Sequence, residues 1–261
     1  MKIRILGCGP SGGVPLVGNV WGNCDPENPK NRRLRTSTLV THRGKNILID
    51  TSPDLRRQLL DAGVTRIDAV LYTHDHADHT HGIDELRPLY FGNRKNSIQV
   101  YGNQATIDRI QRKFKYLFDP KEDELSRDLY PNILQANVIG AKSFDLFGLS
   151  IQPFLQDHGY SRSLGFRIGD MAYSTDVVRL DEDAFKVLQG VKLWLVDCLA
   201  ETPRRTHSHL EQTLKWIERV GPGRAILIHM NQELDYEVLK GKLPEGIEPA
   251  FDGMEIEVLN K

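Results

Sequence analysis

Short apolar runs, each closed within a few residues by a histidine or an acid, recur along this chain. Residues 46–49, 69–73, 151–155, 171–174, 193–196 and 225–228 read as strands buried on one or both faces. Asp50, His74, His158, Asp176, Asp197 and His229 follow them in turn. The opening Met1-Lys2-Ile3-Arg4-Ile5-Leu6 alternates as one more short strand, with too little apolar length for a signal peptide. Helices fill the intervals. Ser52-Pro53-Asp54 predicts a start, with Ser52 as N-cap and Pro53 at the first helical position, and Gly63 the stop. Asn103 is placed to cap a helix over 104–117, whose Ile107, Ile110, Phe114 and Leu117 share a face. The opposite face carries Arg109, Arg112, Lys113 and Lys115 and reads as solvated. A further helix covers 210–220 and ends before Gly221-Pro222-Gly223. Residues 119–132, charged and proline-containing, predict a loop or lid.

Strands alternating with helices predict an α/β fold, in which binding sites gather at the carboxyl ends of strands. Six such ends each offer a ligand or a supporting acid, and only a folded sheet can bring them together. No linker, repeat or low-complexity tract divides the 261 residues, so one domain spanning 1–261 is expected. A net charge of −1 supplies no electrostatic funnel for long nucleic acid. No apolar run reaches the roughly 18 residues of a membrane span. Three scattered cysteines, Cys8, Cys24 and Cys198, form no disulfide framework and point to a reducing, cytoplasmic setting.

The chemistry concentrates in His74-Asp75-His76-Ala77-Asp78-His79-Thr80-His81, directly behind a core strand. Imidazoles and carboxylates at this density suit Zn, Mn or Fe rather than Ca or Mg. A two-metal hydrolase needs ligands for two ions about 3.5–4 Å apart, a bridging group and open positions for water and substrate. His74, His76 and His158 can serve one ion; Asp78, His79 and His229 can serve the other. Asp176 can bridge them, because a carboxylate has two oxygens to share.

His74-x-His76-x-Asp78-His79, followed by lone His158, Asp176 and His229 after successive strands, resembles the metallo-β-lactamase superfamily. The resemblance runs from Ile3 to the tail at Phe251-Asp252-Gly253-Met254-Glu255. It implies a four-layer αββα sandwich, a dinuclear Zn or Mn site at one rim, and Asp50 as a support for the metal loop rather than a ligand. Gly7-Cys8-Gly9-Pro10-Ser11-Gly12-Gly13-Val14-Pro15, Trp21-Gly22 and the tail narrow the resemblance. They are similar to the phosphoribosyl cyclic phosphodiesterases of the carbon–phosphorus lyase pathway. That narrower resemblance implies hydrolysis of a small or cyclic phosphodiester, such as a ribose cyclic phosphate or a nucleotide-like ester, by a metal-bridging hydroxide. It also allows a homodimer. His207, in Thr206-His207-Ser208-His209, fits the place of the family's extra catalytic histidine. It would act as general acid or as a donor to a phosphate oxygen. His209 is a weaker substrate-binding candidate.

One departure stands out. The family's structural zinc uses three cysteines and a histidine, whereas here Cys24 is the only thiol in its stretch and Met230-Asn231-Gln232 holds no histidine. A tetrahedral zinc needs four nitrogen or sulfur ligands, so that zinc is expected to be missing. The glycine-rich opening fits either a phosphate-cradling nest or a tight connection. Arg32, Arg33 and Arg35 offer a phosphate contact or a solvated basic run, and Trp21, Tyr90 and Phe91 a substrate wall or ordinary packing. The ligand set is also compatible with an RNA-processing endonuclease or a thioester hydrolase of the same superfamily.

Overall fold

The computed structural model describes residues 1–92, 96–119 and 132–258. Its strands form two seven-stranded sheets. The first contains β1 (Lys2–Gly7), β2 (Ser37–His42), β3 (Lys45–Ile49), β4 (Ala69–Leu71), β5 (Ile98–Gly102), β6 (Leu134–Val138) and β14 (Glu255–Glu257), in the order β14-β1-β2-β3-β4-β5-β6. The second contains β7 (Phe144–Leu146), β8 (Leu149–Asp157), β9 (Arg162–Ile168), β10 (Met171–Ser174), β11 (Leu193–Asp197), β12 (Arg224–Ile228) and β13 (Ile247–Pro249), in reverse chain order.

Strand alternation assigns the layers. Ile3, Ile5, Val40, Ile47, Ile49 and Leu71 of the first sheet share a core with Ile151, Phe166, Leu195 and Ile226 of the second. The intervening Leu39, Leu48 and Val70 face outward onto Leu55, Leu59, Ile107 and Ile110 of the helices. On the far side, Phe185 and Leu188 of the helix Glu182–Leu188, with Trp216 and Ile217 of the helix Leu210–Val220, cover the second sheet. The result is an αββα sandwich. No helix among the described residues is long and apolar enough to cross a membrane.

The expected punctuation holds in part. Asn103 caps the helix Gln104–Lys113 by accepting from Thr106 N at 2.8 Å, and Gly221 closes Leu210–Val220 at φ +62°. Gly63, at φ +62°, follows the helix Leu55–Asp61. That helix starts later than the sequence predicts: the Ser52 hydroxyl accepts from Asp54 N at 3.2 Å, so Ser52, Pro53 and Asp54 are spent on a turn. The helix expected over 104–117 breaks at Phe114 (φ −124°, ψ 40°) and resumes as Lys115–Phe118. The break still buries Leu117. Of the expected lid, residues 120–131 lie outside the described residues.

Candidate metal centre

Strand ends from both sheets meet at one rim. Asp50 follows β3 and His74 stands three residues past β4; His158, Asp176 and His229 follow β8, β10 and β12, and Asp197 ends β11. Three of these residues, Asp50 (φ +61°), Asp176 (φ +54°) and His229 (φ +60°), hold left-handed backbone. That conformation costs a non-glycine residue roughly 1–2 kcal/mol and persists where the surroundings over-determine it. Each of the three turns sharply off its strand at the rim.

The described residues contain two groups of converging donors, His74, His76, His158 and Asp176 in one, and Asp78, His79, His229 and Asp176 in the other, with donor atoms in each group within 4.8 Å of one another. Asp176 belongs to both, and its two oxygens divide between them. Oδ1 lies 3.7 Å from His74 Nε2 and 3.5 Å from His158 Nε2. Oδ2 lies 3.1 Å from His79 Nε2 and 3.6 Å from His229 Nδ1. The buried Nε2 atoms of His74 and His79 make no hydrogen bond among the described residues. Buried polar atoms without partners are costly, and a pair aimed at a shared carboxylate is the donor pattern a divalent cation satisfies. His76 is exposed while His74, His158 and Asp176 are buried, so the centre opens on the His76 side.

An outer layer orients these rings. Asp50, wholly buried, accepts from Thr73 N (2.8 Å) and Thr73 Oγ1 (2.7 Å) and pairs with His79 Nδ1 (2.8 Å). His158 Nδ1 faces the Thr206 carbonyl at 2.7 Å, and His229 Nδ1 faces Thr36 Oγ1 at 3.0 Å. Arg109 and Lys113, expected to be merely solvated, reach Asp75 between the first two histidines, at 2.9 Å to its carboxylate and 3.0 Å to its carbonyl.

The buried rings and carboxylates of the centre act strongly on one another. Burial and the neighbouring His79 hold His74 well below the ordinary imidazole value. Burial opposes charge on His79, yet Asp176, Asp78 and Asp50 drive it well above that value. Burial likewise opposes charge on Asp176, but His229, His79 and His74 hold it well below the carboxylate range.

His207 reaches the same rim. Its Nδ1 lies 3.2 Å from Asp197 Oδ2, its Nε2 lies 3.8 Å from Asp176 Oδ1, and its ring stacks on His229 with centroids 4.9 Å apart. Burial disfavours the charged ring, but Asp197 and then Asp176 push it up to about 9. Asp197 is fixed in turn by Val177 N at 3.0 Å. His209 takes the N-cap position of the helix Leu210–Val220, without a side-chain cap bond, and is not one of the converging donors.

A model of the beta-lactamase superfamily domain matches residues 45–230. The chain belongs to the metallo-β-lactamase superfamily. Among solved structures of this superfamily fold, a new diphosphatase from the PhnP family is 32% identical, with a TM-score of 0.90 and coverage of 99% of this chain and 98% of that one. The narrower resemblance seen in the sequence therefore holds. An octanoyltransferase of Porphyromonas gingivalis is 34% identical over 98% of this chain and 51% of its own length. A ribonuclease Z of Bradyrhizobium is 31% identical over 53% of this chain and 45% of its own length. The chain thus spans about half the length of these curated relatives.

Other residues singled out in the sequence serve the frame. Gly9 and Gly13 spend their N–H groups on Leu34 O and Pro10 O, both at 2.8 Å, so they tighten a connection and do not form a nest. Arg35 pairs with Asp54 at 3.0 Å, and Arg32 lies over the Trp21 ring at 4.7 Å. Tyr90 packs in the outer core and Phe91 is exposed. Arg33, only 2% exposed, donates to Asn231 O (2.9 Å) and Leu234 O (2.6 Å), with its Nη1 3.9 Å from Cys24 Sγ. Asn31 beside it donates to Asp235 at 2.6 Å. Where the resemblance would place a structural zinc, a buried guanidinium ties the opening loop to the loop after His229. The tail has a similar duty: Asp252 accepts from Cys8 N (3.0 Å) and Leu34 N (2.7 Å).

Proposed function

We propose that this metal-dependent hydrolase is a phosphodiesterase acting on a small or cyclic phosphodiester, with two divalent cations, Zn or Mn, as cofactors. His74, His76 and His158 would hold one cation, Asp78, His79 and His229 the other, and Asp176 both. Cations so held lower the pKa of water and polarise phosphoryl oxygens. A single domain over 1–261 carries the whole site in this reading.

The carrying observation is the placement of His207. A water oxygen forms the new bond to phosphorus, and the bond from phosphorus to the ester oxygen breaks. The departing alkoxide is a strong base and needs a proton. His207 Nε2, on the rim 3.8 Å from Asp176, is placed to deliver it, and Asp197 on Nδ1 keeps the ring charged and oriented. Asp50 contributes by fixing His79 and the Thr73 turn rather than by touching substrate. The diphosphatase relative supports phosphorus chemistry. The ribonuclease Z relative supports RNA as a second reading, against which stands the net charge of −1.

The test is hydrolysis of bis(p-nitrophenyl) phosphate by Mn- or Zn-loaded protein, with Asp176→Ala alongside. Turnover that disappears in the variant supports the reading. A fully loaded protein without turnover on this ester, but active on a thioester or a tRNA precursor, would replace it.

A further inference from the structure

The hairpin that presents His158 carries a feature that metal binding does not use. Between β8 and β9 the chain turns in the short loop His158-Gly159-Tyr160-Ser161, closed by His158 N bonding to Ser161 O at 3.1 Å. Tyr160 sits on this turn with 85% of its surface exposed and no hydrogen bond or ring contact among the described residues. A second loop abuts the first. The Thr206 carbonyl holds His158 Nδ1 at 2.7 Å. Gly159 has φ +75°, and a Cβ on it would meet Arg205 O at 2.8 Å and Thr206 Cγ2 at 2.9 Å. Only glycine permits that approach, so the turn bearing Tyr160 and the segment leading to His207 form one rim.

The cations of this rim fall into two kinds. Arg179 is paired with Asp157 at 2.5 Å, and Arg204 is paired with Glu233. Arg162 is exposed and stands cross-strand from Asp157, whose carboxylate it also stabilises, whereas Arg205 is exposed and has no ion pair or ring contact among the described residues. Arg162 lies two residues after Tyr160, and Arg205 two residues before His207. An aromatic ring left in water and the unmatched guanidinium of Arg205 stand beside a centre that opens toward solvent at His76. Exposed aromatic side chains stack on bases, and guanidiniums bind phosphate.

We propose that this rim is the specificity subsite of the enzyme, and that it takes a phosphoester bearing an aromatic base and a further phosphate: a nucleotide-type substrate, stacked on Tyr160 and with its second phosphate met by Arg205. The inference rests on the phosphodiesterase reading of the same site. It narrows the substrate class from any small diester to one with a planar base. Bare ribose cyclic phosphates would leave Tyr160 unused.

The experiment compares two esters with the same leaving group, thymidine 5′-(p-nitrophenyl phosphate) and methyl p-nitrophenyl phosphate, on Mn-loaded protein. The thymidine ester is expected to show a KM lower by about 10-fold, the scale of one base–aromatic stack. Tyr160→Ala should erase that difference with metal content unchanged, and Tyr160→Phe should restore it. ADP binding, followed by calorimetry, provides a readout independent of turnover: Tyr160→Ala and Arg205→Ala should each weaken it. Equal KM values for both esters in wild type, or ADP binding unmoved in both variants, would overturn the subsite. If neither ester is hydrolysed while ADP binding still depends on Tyr160 and Arg205, the phosphodiesterase reading fails and the subsite stands.

Discussion

Asp197 holds the Nδ1 edge of His207 at 3.2 Å, while the Nε2 edge of the same ring looks onto Asp176 Oδ1 at 3.8 Å. One imidazole thus spans a wholly buried structural acid and the carboxylate shared by both donor groups. In the proposed reaction, this arrangement would give the proton donor a fixed aim.

His207→Ala should therefore lower turnover about 10²- to 10⁴-fold while metal content, read by elemental analysis, stays as in wild type. Loss of metal would make His207 a ligand instead. In metal-free protein the His207 ring should titrate near 9 by NMR, and Asp197→Asn should bring it down. The sign follows from the raised value: the charged ring stabilises the fold below the ordinary histidine range, and this contribution disappears as pH rises through about 9. Added cations should lower the midpoint, since positive charge beside the ring disfavours its protonation.

Asp176→Ala removes the one group common to both donor sets. It should lower bound metal at both positions, and not at one alone, with loss of activity. A variant that keeps two ions and full turnover would refute the bridging assignment.

Arg33→Ala leaves the buried carbonyls of Asn231 and Leu234 without their donor. The expected cost is roughly 2–4 kcal/mol in denaturant unfolding. Arg33→Lys should recover part of it, since an ammonium supplies charge without the planar fork. An Arg33→Ala variant as stable as wild type would show that the guanidinium is a passenger.

Asp252 supplies a pH test away from the centre. Burial lifts its carboxyl to about 7, although it accepts hydrogen bonds from Leu34 and Cys8. A raised value favours the protonated form in the fold. Its contribution is complete below about pH 4 and is lost as pH rises through about 7. The stability of wild type relative to Asp252→Asn should therefore fall by roughly 2–4 kcal/mol between pH 4 and 8. The variant also loses an acceptor, but that offset does not change with pH. A flat difference would show that the carboxyl is ionised throughout.

The centre was largely legible because its residues are either adjacent in sequence, as from His74 to His79, or stand at the ends of apolar runs. Asp197 was visible as a strand end, but its partner His207 returns to it only through the fold. Thr36 and the Thr206 carbonyl were not readable: they meet His229 and His158 across 193 and 48 residues. Arg33 sits in a run of arginines, and charge alone does not announce a buried guanidinium. β9 is also hard to read, because Gly165 interrupts its apolar pattern to admit the ring of Phe154. β6, Leu-Gln-Ala-Asn-Val, is too polar to read as a strand outside its sheet.

A fold can secure a loop with an ion it must acquire or with a charge it makes itself, and Arg33 is the second kind. A guanidinium does not dissociate under chelators, does not oxidise and stays charged wherever the fold survives. The link between the opening loop and the loop after His229 therefore asks for no ion of its own, and chelation that empties the centre should leave it tied.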